Sequence, residues 1–284
     1  MHRIPEPTED VDVVPTFFVV SAGRIVIDLD DVRKISVQAR VNYGLEDVFE
    51  HREFRHFFRL EVLRVVEHLP VAVAGTNGKT TTTMLCYHML SKAGFKVGLG
   101  GNIGKSYARQ VAEDDNDYYV LELSSFQLDD MEDFKAEIAI LMNITPDHLD
   151  RYEYNMQLYV NSKFRILNNQ TAADYFIYNA DDKTITTELE KRSIPAKKLP
   201  FSLTQEFAEG AYAANKQLII NFNNQFTMSI HELALKGKHN TQNALAAGIA
   251  ARLVEIRKDI VRESLEDFTN VEHRLEFVAK VNGI

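Results

Sequence analysis

The segment best equipped for chemistry is Gly75-Thr76-Asn77-Gly78-Lys79-Thr80-Thr81-Thr82. Its two glycines permit a tight turn in which backbone N–H groups converge, and a helix starting behind such a turn adds positive potential. Lys79 contributes a mobile cation, and Thr80 a hydroxyl able to ligate magnesium. The longer form of this loop has a further glycine where Val73 stands, so this is the shorter GxxGKT form. The pattern predicts a site for the phosphates of ATP with Mg2+, lined by Gly75, Thr76, Asn77, Gly78, Lys79, Thr80 and Thr81.

Three further places carry residue types that could act with it. Glu122 stands in Leu121-Glu122-Leu123-Ser124-Ser125-Phe126-Gln127-Leu128, at the carboxyl end of an expected strand. That end of an open α/β sheet faces the ligand crevice, and a carboxylate there suits magnesium, although a solvated strand-end glutamate has the same appearance. His148, in Asn143-Ile144-Thr145-Pro146-Asp147-His148-Leu149-Asp150-Arg151-Tyr152, offers a metal ligand, a substrate contact or a structural imidazole, and Asp147 a ligand or a turn cap. Lys163, taken alone, reads as a lysine on a helix surface.

The elements around these residues alternate. A short apolar run at 71–74 ends in Gly75 and has the profile of a buried parallel strand. A helix is expected over 80–93 with Gly94 as its stop, then a strand at 96–99, a helix at 106–112 and strands at 118–123 and 138–143. A helix over 154–167 and a strand at 175–179 continue the series. Segments 218–223 and 226–230 flank Asn224-Gln225 as a hairpin, and 239–255 is helical again. Residues 11–20 and 24–29 look like short strands, 46–68 like a charged helix, and 271–281 like a strand whose partner would lie in a further domain. The fold class is α/β: a mostly parallel sheet flanked by helices, with a small antiparallel patch and a short atypical N-terminal region.

Length suggests roughly two domains of about 150 residues. With 45% hydrophobic and 26% charged residues, the chain has the composition of a globular protein with a real core. The net charge of −9, with no basic block, argues against general binding to nucleic acid or anionic membrane. Cys86 is the one cysteine, so no intrachain disulfide forms, which fits a reducing cytoplasm; it is expected to be a buried, inert thiol. No apolar run reaches the ~20 residues of a membrane span, and acidic residues follow the N-terminus where a signal peptide would be apolar.

In order, the motifs GTNGKTTT, GGNIG, LELSSFQL, NITPDHLDRY, SKFRI, KHNTQNALAA and EHRLEFV resemble the Mur ligase superfamily from about residue 71 to 280. SSFQL with DHLDRY resembles its D-glutamate-adding branch. The resemblance implies ATP-driven amide formation through an acyl phosphate, with UDP-N-acetylmuramoyl-L-alanine and D-glutamate as substrates in peptidoglycan precursor synthesis. It implies that Lys79 meets the outer phosphates, that Thr80 and Glu122 hold one Mg2+, and that His148 and Lys163 hold a second. Lys163 matches a lysine the family carbamylates. Asn102, Ser124, Gln127 and His148 fall at substrate-side positions, and Asn240, Asn243 and Arg274 at positions that contact ATP. A monomer in the cytoplasm is the family expectation.

Residues 70–270 match the family's central domain. Residues 1–69 are short for its first domain, with Ala22 where a serine–proline–glycine turn has proline, and 271–284 read as the hinge toward a third. Binding of Mg-ATP with weak or no ligation is therefore expected of this chain. The alternatives are another Mur-type amino-acid ligase, such as a folylpolyglutamate synthase relative, and a Mg-ATP-binding module without turnover.

Overall fold

The computed structural model describes residues 69–113 and 116–269. The strands expected at 11–20, 24–29 and 271–281, the helix at 46–68, and Arg274 lie outside the described residues.

The first half of the fold is a strand–helix series: β1 (Leu69–Ala74), α1 (Lys79–Lys92), β2 (Val97–Gly101), α2 (Tyr107–Glu113), β3 (Tyr118–Glu122), α3 (Ser125–Asp129), β4 (Ile138–Leu141) and α4 (Met156–Phe164). It continues with β5 (Tyr175–Asn179), α5 (Lys183–Lys191), β6 (Lys197–Ser202), β7 (Gly210–Ala214), β8 (Gln217–Asn221), β9 (Phe226–Ser229), α6 (Lys238–Leu253) and α7 (Lys258–Asp267). The strands form one sheet in the order β2-β3-β1-β4-β5-β6-β7-β8-β9. Pairing is parallel from β2 to β7 and antiparallel for β7–β8 and β8–β9. The expected hairpin is present, with Leu218 opposite Met228 and Ile220 opposite Phe226.

Both faces of the sheet are covered, which is why its central strands are apolar throughout. In β1, Val71 and Val73 join a core with α1, α6 and α7, while Ala72 and Ala74 join one with α3, α4 and α5. Cys86 is buried in the first core, and burial pushes its thiol up to about 12, as expected of an inert thiol. The chain leaves β1 toward β2 and β3 on one side and returns to β4 on the other. The carboxyl ends of β3, β1 and β4 therefore flank a topological switch point, where open α/β sheets bind ligands.

The helix expected over 154–167 is shorter at both ends. Glu153 and Tyr154 have φ of 54° and 57°, and the Asn155 side chain caps the helix by accepting from Gln157 N at 2.9 Å. Past Phe164 the chain tightens into a 3-10 turn, Arg165–Leu167.

Candidate active site

β1 runs into a loop that only glycine fits at two points. Gly75 has φ +147° and Gly78 φ +82°, and a Cβ on Gly78 would lie 2.6 Å from Asn243 Oδ1. Gly78 is also the N-cap of α1 and provides no side chain to cap it, leaving that role to an external acceptor. The segment after β4 straps the loop in place. Thr76 N donates to Asn143 O at 2.9 Å, Asn77 N donates to Asn143 Oδ1 at 2.8 Å, and Asn143 Nδ2 donates to Asn77 O at 2.9 Å. Thr145 N donates to Thr76 Oγ1 at 3.0 Å. Asn143 was visible only as part of a motif, and pairing across 66 residues gives it a role in shaping the loop. Lys79 Nζ folds back to donate to Thr76 O at 2.9 Å.

Glu122 lies in register with Val73 on one side and Gly101 on the other. It is 2% exposed, Asn102 Nδ2 donates to its Oε1 at 2.8 Å, and its buried Oε2 has no hydrogen-bond partner among the described residues. Asn102 N also donates to the Glu122 carbonyl at 2.8 Å, so Asn102 braces the carboxylate.

Lys163 is not the surface lysine that its residue type suggests. α4 turns it inward: it is 2% exposed and Nζ donates to the Gly75 carbonyl at 2.9 Å. Burial, and then the charge of Lys79, brings its ammonium down to about 7, against the opposing pull of Asp147, Glu122 and Asp129. Tyr159, one helical turn earlier, places its ring 5.3 Å from Lys163 Nζ and its hydroxyl 3.1 Å from Thr76 Oγ1.

His148 sits at the outer rim, with φ 48° and a side chain 59% exposed. Ser124 and Gln127 form a reciprocal capping box at the start of α3. Asn243 Nδ2 donates to Asn240 Oδ1 at 3.2 Å, and Thr82 Oγ1 donates to Asn243 Oδ1 at 3.3 Å, tying α6 to the loop helix.

Among the described residues, no group of three or more His, Cys, Asp or Glu is arranged to hold a metal. Mg2+ takes one or two carboxylates and completes its shell with phosphate and water oxygens. The unpartnered Glu122 oxygen beside the loop fits such an ion, with Thr80 as a hydroxyl donor.

Residues 73–251 match the family model of the Mur ligase middle domain. The chain belongs to the Mur ligase family. Two UDP-N-acetylmuramoylalanine--D-glutamate ligases are each 55% identical, one from Christiangramia forsetii over 215 residues and one from Bacteroides fragilis over 214. Each match covers 75% of this chain and 48% of the relative, so this Mur ligase chain spans about half the length of the curated relatives it matches. Among solved structures, MurF from Acinetobacter baumannii superposes with a TM-score of 0.63 at 18% identity, over 79% of this chain and 51% of that one. That likeness concerns the fold: the mostly parallel sheet with a small antiparallel part is a Mur ligase architecture. No helix among the described residues is long and apolar enough to cross a membrane.

Proposed function

We propose that this chain binds Mg-ATP and serves ATP-driven amide formation, joining D-glutamate to UDP-N-acetylmuramoyl-L-alanine in peptidoglycan precursor synthesis. Residues 70–270 form the ATP-binding domain, with 1–69 before it and 271–284 as the hinge after it. One observation carries the reading at the site: a buried carboxylate oxygen without a partner, Glu122 Oε2, lies in register beside the strand that feeds the phosphate loop. The choice of substrates rests on the relatives' names, at 49–55% identity.

The first step brings two anions together: a substrate carboxylate attacks the γ-phosphorus of ATP, forming an acyl phosphate and releasing ADP. The D-glutamate amine then attacks the acyl carbon, the tetrahedral intermediate expels phosphate, and the ammonium proton passes to solvent or a base. Positioning and charge compensation supply most of the catalysis in such a reaction. The loop at 75–80 and the start of α1 hold the phosphates, with the Thr76 and Asn77 amides given to Asn143 to shape the loop, and Lys79 exchanges the Thr76 carbonyl for the outer phosphates. Thr80 and Glu122 are the residues for one Mg2+, and His148 and Lys163 for a second. Bound Mg2+ supplies neutralisation of the phosphate and carboxylate charges. With its ammonium brought down to about 7, Lys163 reaches the neutral amine near physiological pH far more readily than an ordinary lysine. That amine can add to carbon dioxide and lose a proton, giving an anionic carbamate in place of a cation. Asn102, Ser124 and Gln127 are the residues assigned to the muramoyl substrate by this reading, and Asn240, Asn243 and Arg274 those assigned to ATP. The chain acts as a cytoplasmic monomer, without nucleic acid and without membrane insertion.

The test is ADP release from Mg-ATP, alone, with UDP-N-acetylmuramoyl-L-alanine, and with D-glutamate added, on this chain and on Lys79→Ala. Release that requires the muramoyl substrate and Lys79 is the expected result. A second reading is a Mg-ATP-binding module without turnover, and ATP binding with no release in any arm would select it.

A further inference from the structure

α3 has five residues, and four contacts fix it to its surroundings. The Ser124 capping box closes its N-terminus, and Ser162 Oγ donates to Ser125 O at 2.9 Å. Arg165 Nε donates to Leu128 O at 2.7 Å, and Tyr152 OH donates to Asp129 Oδ2 at 2.9 Å. What this pinned turn presents is Phe126. The His148 ring lies 5.3 Å from the Phe126 ring, centroid to centroid, tilted by 59°. The Arg151 guanidinium carbon is 4.5 Å from the same centroid, and the Tyr152 ring is 6.5 Å away at 29°.

His148 needs such a neighbour. It stands at a left-handed backbone position with its side chain largely exposed, so few packing contacts restrain the imidazole. Among the described residues, its polar neighbour is Asp147 Oδ2 at 3.6 Å, beyond hydrogen-bond distance. Tilted aromatic pairs with centroids about 4.5–7 Å apart attract, and a guanidinium over a ring face does likewise. The contact that selects an orientation for the imidazole is therefore the Phe126 ring.

We propose that Phe126 is a positioning residue for His148, holding the imidazole toward the cation and substrate side of the site, with Arg151 clamping the ring. The proposal rests on the reading of His148 as a cation-side group. It gives the β3–α3 connection two tasks: Glu122 as a ligand, and Phe126 four residues later as the orienting surface for a ligand from the β4 side.

Phe126→Leu, Phe126→Tyr and His148→Ala would be compared in the whole chain by two measurements. One is NMR of isotope-labelled histidine imidazoles, with His148→Ala assigning the resonance. The other is Mn2+ titration of the ATP-bound chain. Phe126→Leu is expected to move the His148 resonance to the position of a freely exposed imidazole and to weaken cation binding by about tenfold. Phe126→Tyr, which keeps the ring, is expected to retain both wild-type values. A wild-type resonance or a wild-type cation affinity in Phe126→Leu overturns the proposal, provided His148→Ala has lost affinity. Unchanged affinity in His148→Ala instead overturns the reading of His148 beneath it. Should Phe126→Leu not fold, Arg151→Gln removes the clamp and keeps the ring; a displaced His148 resonance then supports the proposal, and a wild-type one overturns it.

Discussion

At the end of α4 an amine is pressed against the Gly75 carbonyl with almost no access to water, and its protonation becomes a property of the fold. In the unfolded chain Lys163 titrates near the ordinary 10.5, and in the folded chain near about 7. Above the higher value both states hold a neutral amine and nothing is lost. Between the two, the unfolded chain binds a proton that the folded chain refuses, so stability falls as pH falls through this window and levels off below about 7. Lys163→Met should remove that slope, worth at most ~1.4 kcal/mol per pH unit. Urea unfolding of the unmodified chain and the variant across this range measures it; parallel curves would contradict the burial account. Residue type gave no hint of this. Gly75 and Gly78, by contrast, were readable from sequence because a left-handed φ is a local demand that selects glycine wherever it occurs.

Among the elements, α3 shows how a short helix depends on its first residue. Five residues form too few internal hydrogen bonds to persist alone, so the Ser124 cap, the Ser162–Ser125 contact and the Tyr152–Asp129 contact decide whether the turn exists. Ser124→Ala is expected to cost about 1 kcal/mol and lower Tm by about 2–4 °C, with Ser124→Asp restoring most of it. Thermal melts of the three proteins check this. α3, α5, β6, β7 and α7 are not among the elements expected from the sequence. β6 contains Pro200 and begins with two exposed lysines, and its identity as a strand comes from pairing with β5. β7 contains Gly210, where a Cβ would meet the Pro200 carbonyl at 2.3 Å, so close backbone approach explains a glycine inside a strand. α7 was legible in principle: Val261 and Leu265, four apart, form its buried stripe, and Asp267 then pairs with His88 and Lys92 of α1.

For the whole molecule, ligand binding and global stability are linked, because the loop that would take the phosphates is held by residues from several parts of the sheet. Mg-ATP should raise Tm, with a stabilisation of about 2.7 kcal/mol when free ligand is 100 times Kd. Chelating the magnesium with EDTA should return Tm to nearly its ligand-free value, because ATP alone places its charge beside the Glu122 carboxylate. Differential scanning calorimetry with and without EDTA reads the effect, and an equal rise with metal-free ATP would argue against a cation at Glu122.

Whatever is contiguous along the chain is legible in its residues: the strand–loop–helix around Gly75 and Gly78, the α/β alternation, the β8–β9 hairpin and the order of motifs that marks a Mur ligase. What each motif touches emerges only in the folded chain. Lys163 reaches Gly75 across 88 residues, Asn243 meets Thr82 across 161, and Glu122 keeps a buried oxygen unpaired. The physical reason is that periodicity and turn chemistry are local, whereas burial, desolvation and hydrogen bonding between distant segments exist only once the parallel strands have set β3, β1 and β4 side by side.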